Sequence, residues 1–177
     1  MKMSRILILY SSTDGHTIKI CNALKQQLEQ DQHRVELVSV ENSSQVDLPS
    51  SDKIVIGASI RYGRHSKLIY DFINSNQHAL ESKPNAFFSV NIVARKPEKS
   101  SPDTNPYLLK FLKQIAWRPR HVAVFAGKLD YPKYGVIDRA MIRFIMLLTH
   151  GPTDPASVIE FTDWQKVAAF GKTISEM

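Results

Sequence analysis

The chain has 177 residues, 43% of them hydrophobic and 23% charged, the balance of one globular domain with a core on both sides of a sheet. Its 23 Lys and Arg outnumber 17 Asp and Glu, and no apolar stretch approaches the ~20 residues that cross a bilayer. The lone Cys21 excludes an intramolecular disulfide and a cysteine metal cluster, and the six histidines show no H-x-x-x-H spacing, so no metal site is expected.

In chain order, Arg5 to Tyr10 reads as a short buried strand, continuous in Ile and Leu as parallel sheets require. The same run is too short for the apolar core of a signal peptide, and no small-residue cleavage site follows it. Ser11 to His16 is a turn cluster. Thr17 to Gln30 has helical spacing in Ile18, Cys21, Leu24 and Leu28. Arg34 to Val40 predicts a second strand at a sheet edge, and Lys53 to Ala58 a third, strongly apolar one. Lys67 to Gln77 places Leu68, Ile69, Phe72 and Ile73 on one helical face. Asn85 to Val93 predicts a fourth strand running into a loop, Thr104 to Ala116 a helix, and His121 to Ala126 a fifth strand ending at Gly127. Residues 129–157 break the alternation. After them come a short strand, Val158 to Phe161, and a closing helix, Thr162 to Ser175. Strands alternating with helices predict a parallel sheet covered on both faces.

Three loops then fall at the carboxyl edge of that sheet, where open α/β sheets bind ligands. The first is Ser12-Thr13-Asp14-Gly15-His16-Thr17. Unpaired backbone N–H groups at a helix start suit a phosphate, the hydroxyls of Ser12, Thr13 and Thr17 add donors, and Gly15 permits a backbone closed to other residues. Without a Lys, the loop is no nucleoside triphosphate cradle; neutral donors fit a terminal monophosphate. Thr, Asp and Gly are also ordinary helix caps, so position after the first strand is what favours a ligand. The second loop is Ser59-Ile60-Arg61-Tyr62-Gly63 and the third Ser89-Val90-Asn91-Ile92-Val93, leading to Arg95 and Lys96. A flavin ring needs an apolar or aromatic wall, which Tyr62 offers, and backbone partners for its polar edge.

The first loop resembles the phosphate loop of flavodoxins. Together with it, the segments IGASIRYG (56–63), SVNIVARKPEK (89–99), WRP (117–119) and FTDW (161–164) resemble the bacterial FMN-dependent, quinone-linked protoporphyrinogen IX dehydrogenases, a flavodoxin-like family. The likeness runs from about Arg5 to the last helix. It implies a doubly wound, five-stranded parallel α/β sheet of order 2-1-3-4-5, with the insertion at 129–157 interrupting the last strand. It implies oxidation of protoporphyrinogen IX to protoporphyrin IX in haem synthesis, with FMN taking electrons in pairs and menaquinone or ubiquinone receiving them. The family's FMN contacts fall on Ser12 to Thr17 and on the loop after the fourth strand. Asp14 before Gly15 departs from the common T-G-x-T loop and is expected as a backbone donor or cap. The third loop lacks the aromatic that flavodoxins stack on the flavin.

The insertion is apolar around most of its helical circumference from Val136 to Leu148, with Arg139 and Arg143 on one side. Residues 95–143 hold eleven basic and four acidic side chains, a local +7, against ten and nine over 1–94. Anionic substrates, acidic lipid or nucleic acid are the partners such charge attracts. A short helix with an apolar arc and an arginine edge suits the lipid interface or a lipophilic ligand; a helix packed on the domain, or a contact between two copies in a homo-oligomer, has the same pattern. Arg95, Lys96, Lys133, Arg139 and Arg143 are the candidates for substrate propionates or an anionic membrane. Nucleic acid is not expected, for want of interleaved aromatics or a recognition module. No general base stands out, though His16, His65 and Asp14 are available. The location expected is the cytoplasmic face of a bacterial inner membrane, peripherally attached. An NAD(P)H:quinone oxidoreductase and a flavodoxin-type electron carrier are the alternatives on the same fold; a basic chain argues against the carrier.

Overall fold

The computed structural model describes residues 2–177. Strand β1 (Arg5–Ser11) lies between β2 (Arg34–Ser39) and β3 (Lys53–Arg61), and β3 continues through β5 (Asn85–Asn91) to β6 (His121–Ala126), all parallel. With the two-residue β4 (Arg64–His65) set aside, the order is the expected 2-1-3-4-5. Period-two alternation gives the sheet two apolar faces. Ile6, Ile8, Val55, Phe88 and Phe125 pack under α1 (His16–Gln30) and α6 (Trp164–Glu176). Leu7, Leu9, Ile54, Ile56 and Phe87 pack under α2 (Lys67–Ser75), α3 (Gln77–Glu81) and α4 (Pro106–Gln114). A Cβ at Gly57 would collide with the Phe88 ring, so glycine lets that ring lie across β3.

Local chemistry moves several boundaries. β3 runs to Arg61, past the expected Ala58, because β4 folds back on it with Ile60 opposite His65 and Arg61 opposite Arg64. The turn residues Tyr62 and Gly63 have φ of 51° and 76°, the positive pair that a two-residue hairpin turn needs to match strand twist. The helix expected over 67–77 breaks at Asn76 into α2 and α3. Of the Thr or Asn cap expected for α4, Asn105 is the one used: its side chain accepts from the Leu108 N–H at 3.1 Å and the helix starts at Pro106. The fourth parallel strand stops at Asn91, whose side chain accepts from the Ala94 N–H at 3.0 Å and starts a 3₁₀ turn over Ile92–Arg95.

The insertion begins beyond β6, which is continuous. β7 (Lys128–Asp130) and β8 (Val158–Glu160) pair with each other, antiparallel, in a separate two-stranded ribbon. The short strand after the insertion therefore closes this ribbon and does not rejoin the parallel sheet. Between its strands lies α5 (Val136–Leu148), rooted by the small cluster Leu129, Tyr131, Tyr134 and Met146. Among the described residues, no helix is long and apolar enough to cross a membrane.

Candidate functional site

The start of α1 leaves backbone donors without a side-chain cap. Gly15 stands at its N-cap with φ 81°, and no side chain caps the helix. Its first N–H groups are thus left with the partial positive charge of a helix N-terminus. Ser12 shapes the loop, its Oγ accepting from the Gly15 N–H at 3.1 Å. The Thr17 hydroxyl is buried without a hydrogen-bond partner among the described residues. A buried orphan hydroxyl costs about 1–3 kcal/mol unless a ligand satisfies it, and a phosphate oxygen would.

His16 fastens this helix start to the ribbon. Its Nε2 lies 2.6 Å from Thr162 Oγ1, which itself donates to the Ala126 carbonyl at 2.7 Å. A hydroxyl has one proton to give, so Thr162 accepts from His16 and the imidazole carries its proton on Nε2. Desolvation lowers the His16 pKa, against the pull of Glu160. The Asp14 carboxyl is raised, chiefly by desolvation, with Arg61 opposing.

From this loop a cavity of about 670 Å³ extends along the carboxyl edge of the sheet. Ser12, Thr13, Asp14, His16 and Thr17 line one end; Ser59 to Gly63 and Val90 to Val93 line its flanks. Tyr107 of α4 reaches in beside Gly63. The far wall is the insertion: Gly127, Lys128 and Tyr134, then Met141, Ile142, Ile145 and Met146 on the inner side of α5. Three cations, Arg61, Arg95 and Lys128, look onto a mostly apolar chamber. Lys128 is paired with Asp130 at 3.0 Å, and that bond foremost holds the Asp130 carboxyl below its ordinary pKa.

α5 is tied down at both ends. Near its start, Asp138 receives the Arg61 guanidinium at 2.5 Å and the Tyr62 hydroxyl, both from the β3–β4 hairpin. At its end, Arg95 Nη2 donates to Thr149 Oγ1 at 2.9 Å and to the Thr149 carbonyl at 3.3 Å.

Of the residues expected at the site, the structure brings all but two of the three loops' members onto this cavity. Gly15 turns the chain outside the lining. Ser89 is buried beneath it, its Oγ 2.9 Å from His65 Nε2 and accepting from Asn91 Nδ2 at 3.3 Å. His65 is a core residue against Phe87 and Phe111, and burial alone drops its pKa to about 3; it is off the cavity lining and unavailable as a base there. Of the five basic candidates only Arg95 lines the cavity. Arg139 donates to the Tyr131 and Tyr134 carbonyls at 3.2 and 3.3 Å, and Arg143 to the Thr153 carbonyl at 2.9 Å, so both brace the insertion's own backbone. Lys133 sits 3.7 Å from Asp130, and Lys96 lies off the lining. The lining residues missed were Tyr107, Gly127, Lys128, Tyr134 and Asp138. Only Asp138 left a sequence signal, as the one acid in an otherwise apolar and basic helix.

The fold and this phosphate-loop geometry define a flavodoxin-type protein. The family model of the flavodoxin domain matches residues 7–156, and the chain belongs to that family. The donor set at α1 and the apolar chamber beyond it fit the family's flavin. Among its relatives, protoporphyrinogen IX dehydrogenase [quinone] of Escherichia coli strain K12 is 41% identical over 98% of this chain and 96% of its own. The protein of that name from Leishmania major is 40% identical over 98% of this chain and 75% of its own. Solved structures agree on the fold at much lower identity. Flavodoxin 1 of Bacillus cereus has a TM-score of 0.53 at 15% identity, covering 98% of each chain. A WrbA-like flavodoxin of Agrobacterium tumefaciens has 0.53 at 14%, covering 98% and 96%.

Proposed function

We propose that this chain oxidises protoporphyrinogen IX to protoporphyrin IX with FMN as resident cofactor and menaquinone or ubiquinone as acceptor. The observation that carries the reading is a phosphate loop with an orphan Thr17 hydroxyl opening into an apolar chamber roofed by the insertion. Relatives named for that reaction, matched over 98% of this chain, support it. The FMN phosphate is held by Ser12, Thr13, Thr17 and the free N–H groups of α1. The backbones of the loops at 59–63 and 90–93 take the ring. Bound there, FMN supplies the acceptance and return of an electron pair.

The remaining chemistry belongs to side chains. Met141, Ile142, Ile145 and Met146 give a macrocycle or quinone ring an apolar wall and keep water out. Arg61, Arg95 and Lys128 attract the propionates, charge-assisted hydrogen bonds being the stronger kind. His16, neutral with its proton on Nε2, and Asp14, with its raised pKa, are the proton acceptors nearest the phosphate end. The outer apolar face of α5 rests on the membrane that holds the quinone, a peripheral attachment on the cytoplasmic side.

The test is an anaerobic assay of the FMN-loaded protein with protoporphyrinogen IX, with and without a menaquinone analogue, followed by porphyrin fluorescence. Quinone-dependent porphyrin above the enzyme-free control is expected. Oxidation of NAD(P)H with quinone, and no porphyrin, would make the protein a reductase instead.

A further inference from the structure

The inference begins with the two unlike sides of α5. At about 100° per residue, Asp138, Met141, Ile142, Ile145 and Met146 fall on the side that lines the cavity. Val136, Leu147, Ala140, Phe144, Ile137 and Leu148 fall on the other, within an arc of about 120°. That outer arc faces solvent: Val136 is 84% exposed, Ile137 76%, Phe144 61% and Leu147 67%. Arg143, itself exposed, sits at the edge of the arc. An unbroken apolar arc bordered by the exposed Arg143, on an insertion that also presents Lys133 at 66% side-chain exposure, matches an anionic lipid surface better than a protein partner.

The attachments of α5 to the body are polar and partly solvated. Arg61 and Asp138 retain 43% and 20% side-chain exposure, and pairs of that kind contribute little net stability. Met146 is the one α5 side chain fully buried in the insertion's own cluster, so it anchors the C-terminal end. The N-terminal end is held to the rest of the protein by Asp138, on Arg61 and Tyr62.

We propose that α5 is a lid latched by Asp138, and that docking of its outer face on an anionic lipid surface releases the latch and opens the cavity. The inference rests on the reading that a lipophilic substrate enters this cavity. In water the closed lid shields its inner face in part: Ile142 is half-buried, and Met141 and Ile145 keep 40% exposure against 61–84% for Val136, Ile137, Phe144 and Leu147 on the outer arc. At a lipid surface the outer arc gains what water denies it, and the helix follows the surface while Met146 stays as the hinge point. The cavity then opens at the moment when quinone is at hand, and reduced flavin is shielded from solvent at other times.

The test needs no turnover. Cys21 is wholly buried and its thiol is pushed up in pKa by burial, so Ile142→Cys puts the reactive thiol on the lid's inner side. N-ethylmaleimide labelling of the FMN-loaded full chain is timed with and without mixed phosphatidylcholine and phosphatidylglycerol vesicles. Vesicles are expected to speed labelling about tenfold, the scale of losing one half-exposed ion pair and its hydrogen bond. Asp138→Asn should speed labelling similarly in the absence of vesicles. Phe144→Ser with Leu148→Ser should leave the rate in water unchanged and abolish the response to vesicles. Equal rates with and without vesicles would overturn the proposal, as would outer-face substitutions that only dissociate an oligomer of this chain. Because labelling is read without porphyrin or quinone, failure of the dehydrogenase assay leaves this result standing, and the reverse holds too.

Discussion

Thr17 carries two demands that a bound anion would reconcile: its hydroxyl is buried, and nothing in the described chain accepts from it or donates to it. Thr17→Val keeps the shape and removes the orphan. FMN affinity should fall about tenfold or more, as expected for a lost hydrogen bond to a charged group. The melting temperature of the cofactor-free protein should hold or rise, and flavin titration beside a thermal melt separates the two effects. His65 makes a different demand. Its folded pKa is about 3, against about 6.5 in an unfolded chain. Between those values the unfolded state binds a proton that the folded state refuses, so stability is full above about pH 6.5 and drains away as pH falls toward 3. The loss amounts to a few kcal/mol over that window. His33 and His16 are lowered as well and add to the slope. His65→Gln, which can still bond Ser89, should flatten the fall of unfolding free energy between pH 6 and 4, measured in urea at each pH.

At the scale of elements, the sheet and the insertion divide the labour. β1, β3, β5 and β6 hold their loops at one edge by continuous parallel register. The insertion and its ribbon are tied to them by side chains of the body: Arg61 and Tyr62 of the hairpin on Asp138, Arg95 on the Thr149 hydroxyl and carbonyl, and Lys19 on Glu160 at 2.7 Å. Cutting the chain back to a tight turn between β7 and β8 should therefore leave the parallel sheet folded and FMN bound. Porphyrinogen oxidation should be lost or fall by orders of magnitude, since the apolar wall and Tyr134 go with it. Far-ultraviolet dichroism, flavin titration and the porphyrin assay check the three parts. The hairpin itself was not foreseen. A lone Tyr-Gly pair is a weak turn signal, and its meaning came from Ile60 finding His65 across the turn.

For the whole molecule, charge is the quantity that matters. Most of the formal excess of +6 arises from the second half of the chain, where the insertion's exposed arc also lies. Association with anionic vesicles should weaken as salt rises from about 0.02 to 0.5 M, because a shorter Debye length screens the basic side chains while the apolar contact stays. Flotation with vesicles across a salt series measures it. Residual binding at high salt would report the apolar arc of α5, and its loss in the Phe144 and Leu148 variants would assign it.

Much of this was legible in the residues themselves. Continuous Ile and Leu in β1 and β3, helical spacing in α1 and a hydroxyl-rich turn between them dictate a parallel sheet with an uncapped helix start at its edge, because burial on two faces and free helix N–H groups are local consequences of sequence. Segments shared with a known family carried the chemistry further. Which cations face the cavity was a different matter. Arg139 and Arg143 read as ligands by position, yet nearby carbonyls claim them, while Lys128 and Asp138 reach the cavity because the β7–β8 ribbon swings α5 across it. Side-chain direction on an insertion is set by what it packs against, over distances in sequence that no local pattern encodes, and so only the tertiary structure decided how this site is walled.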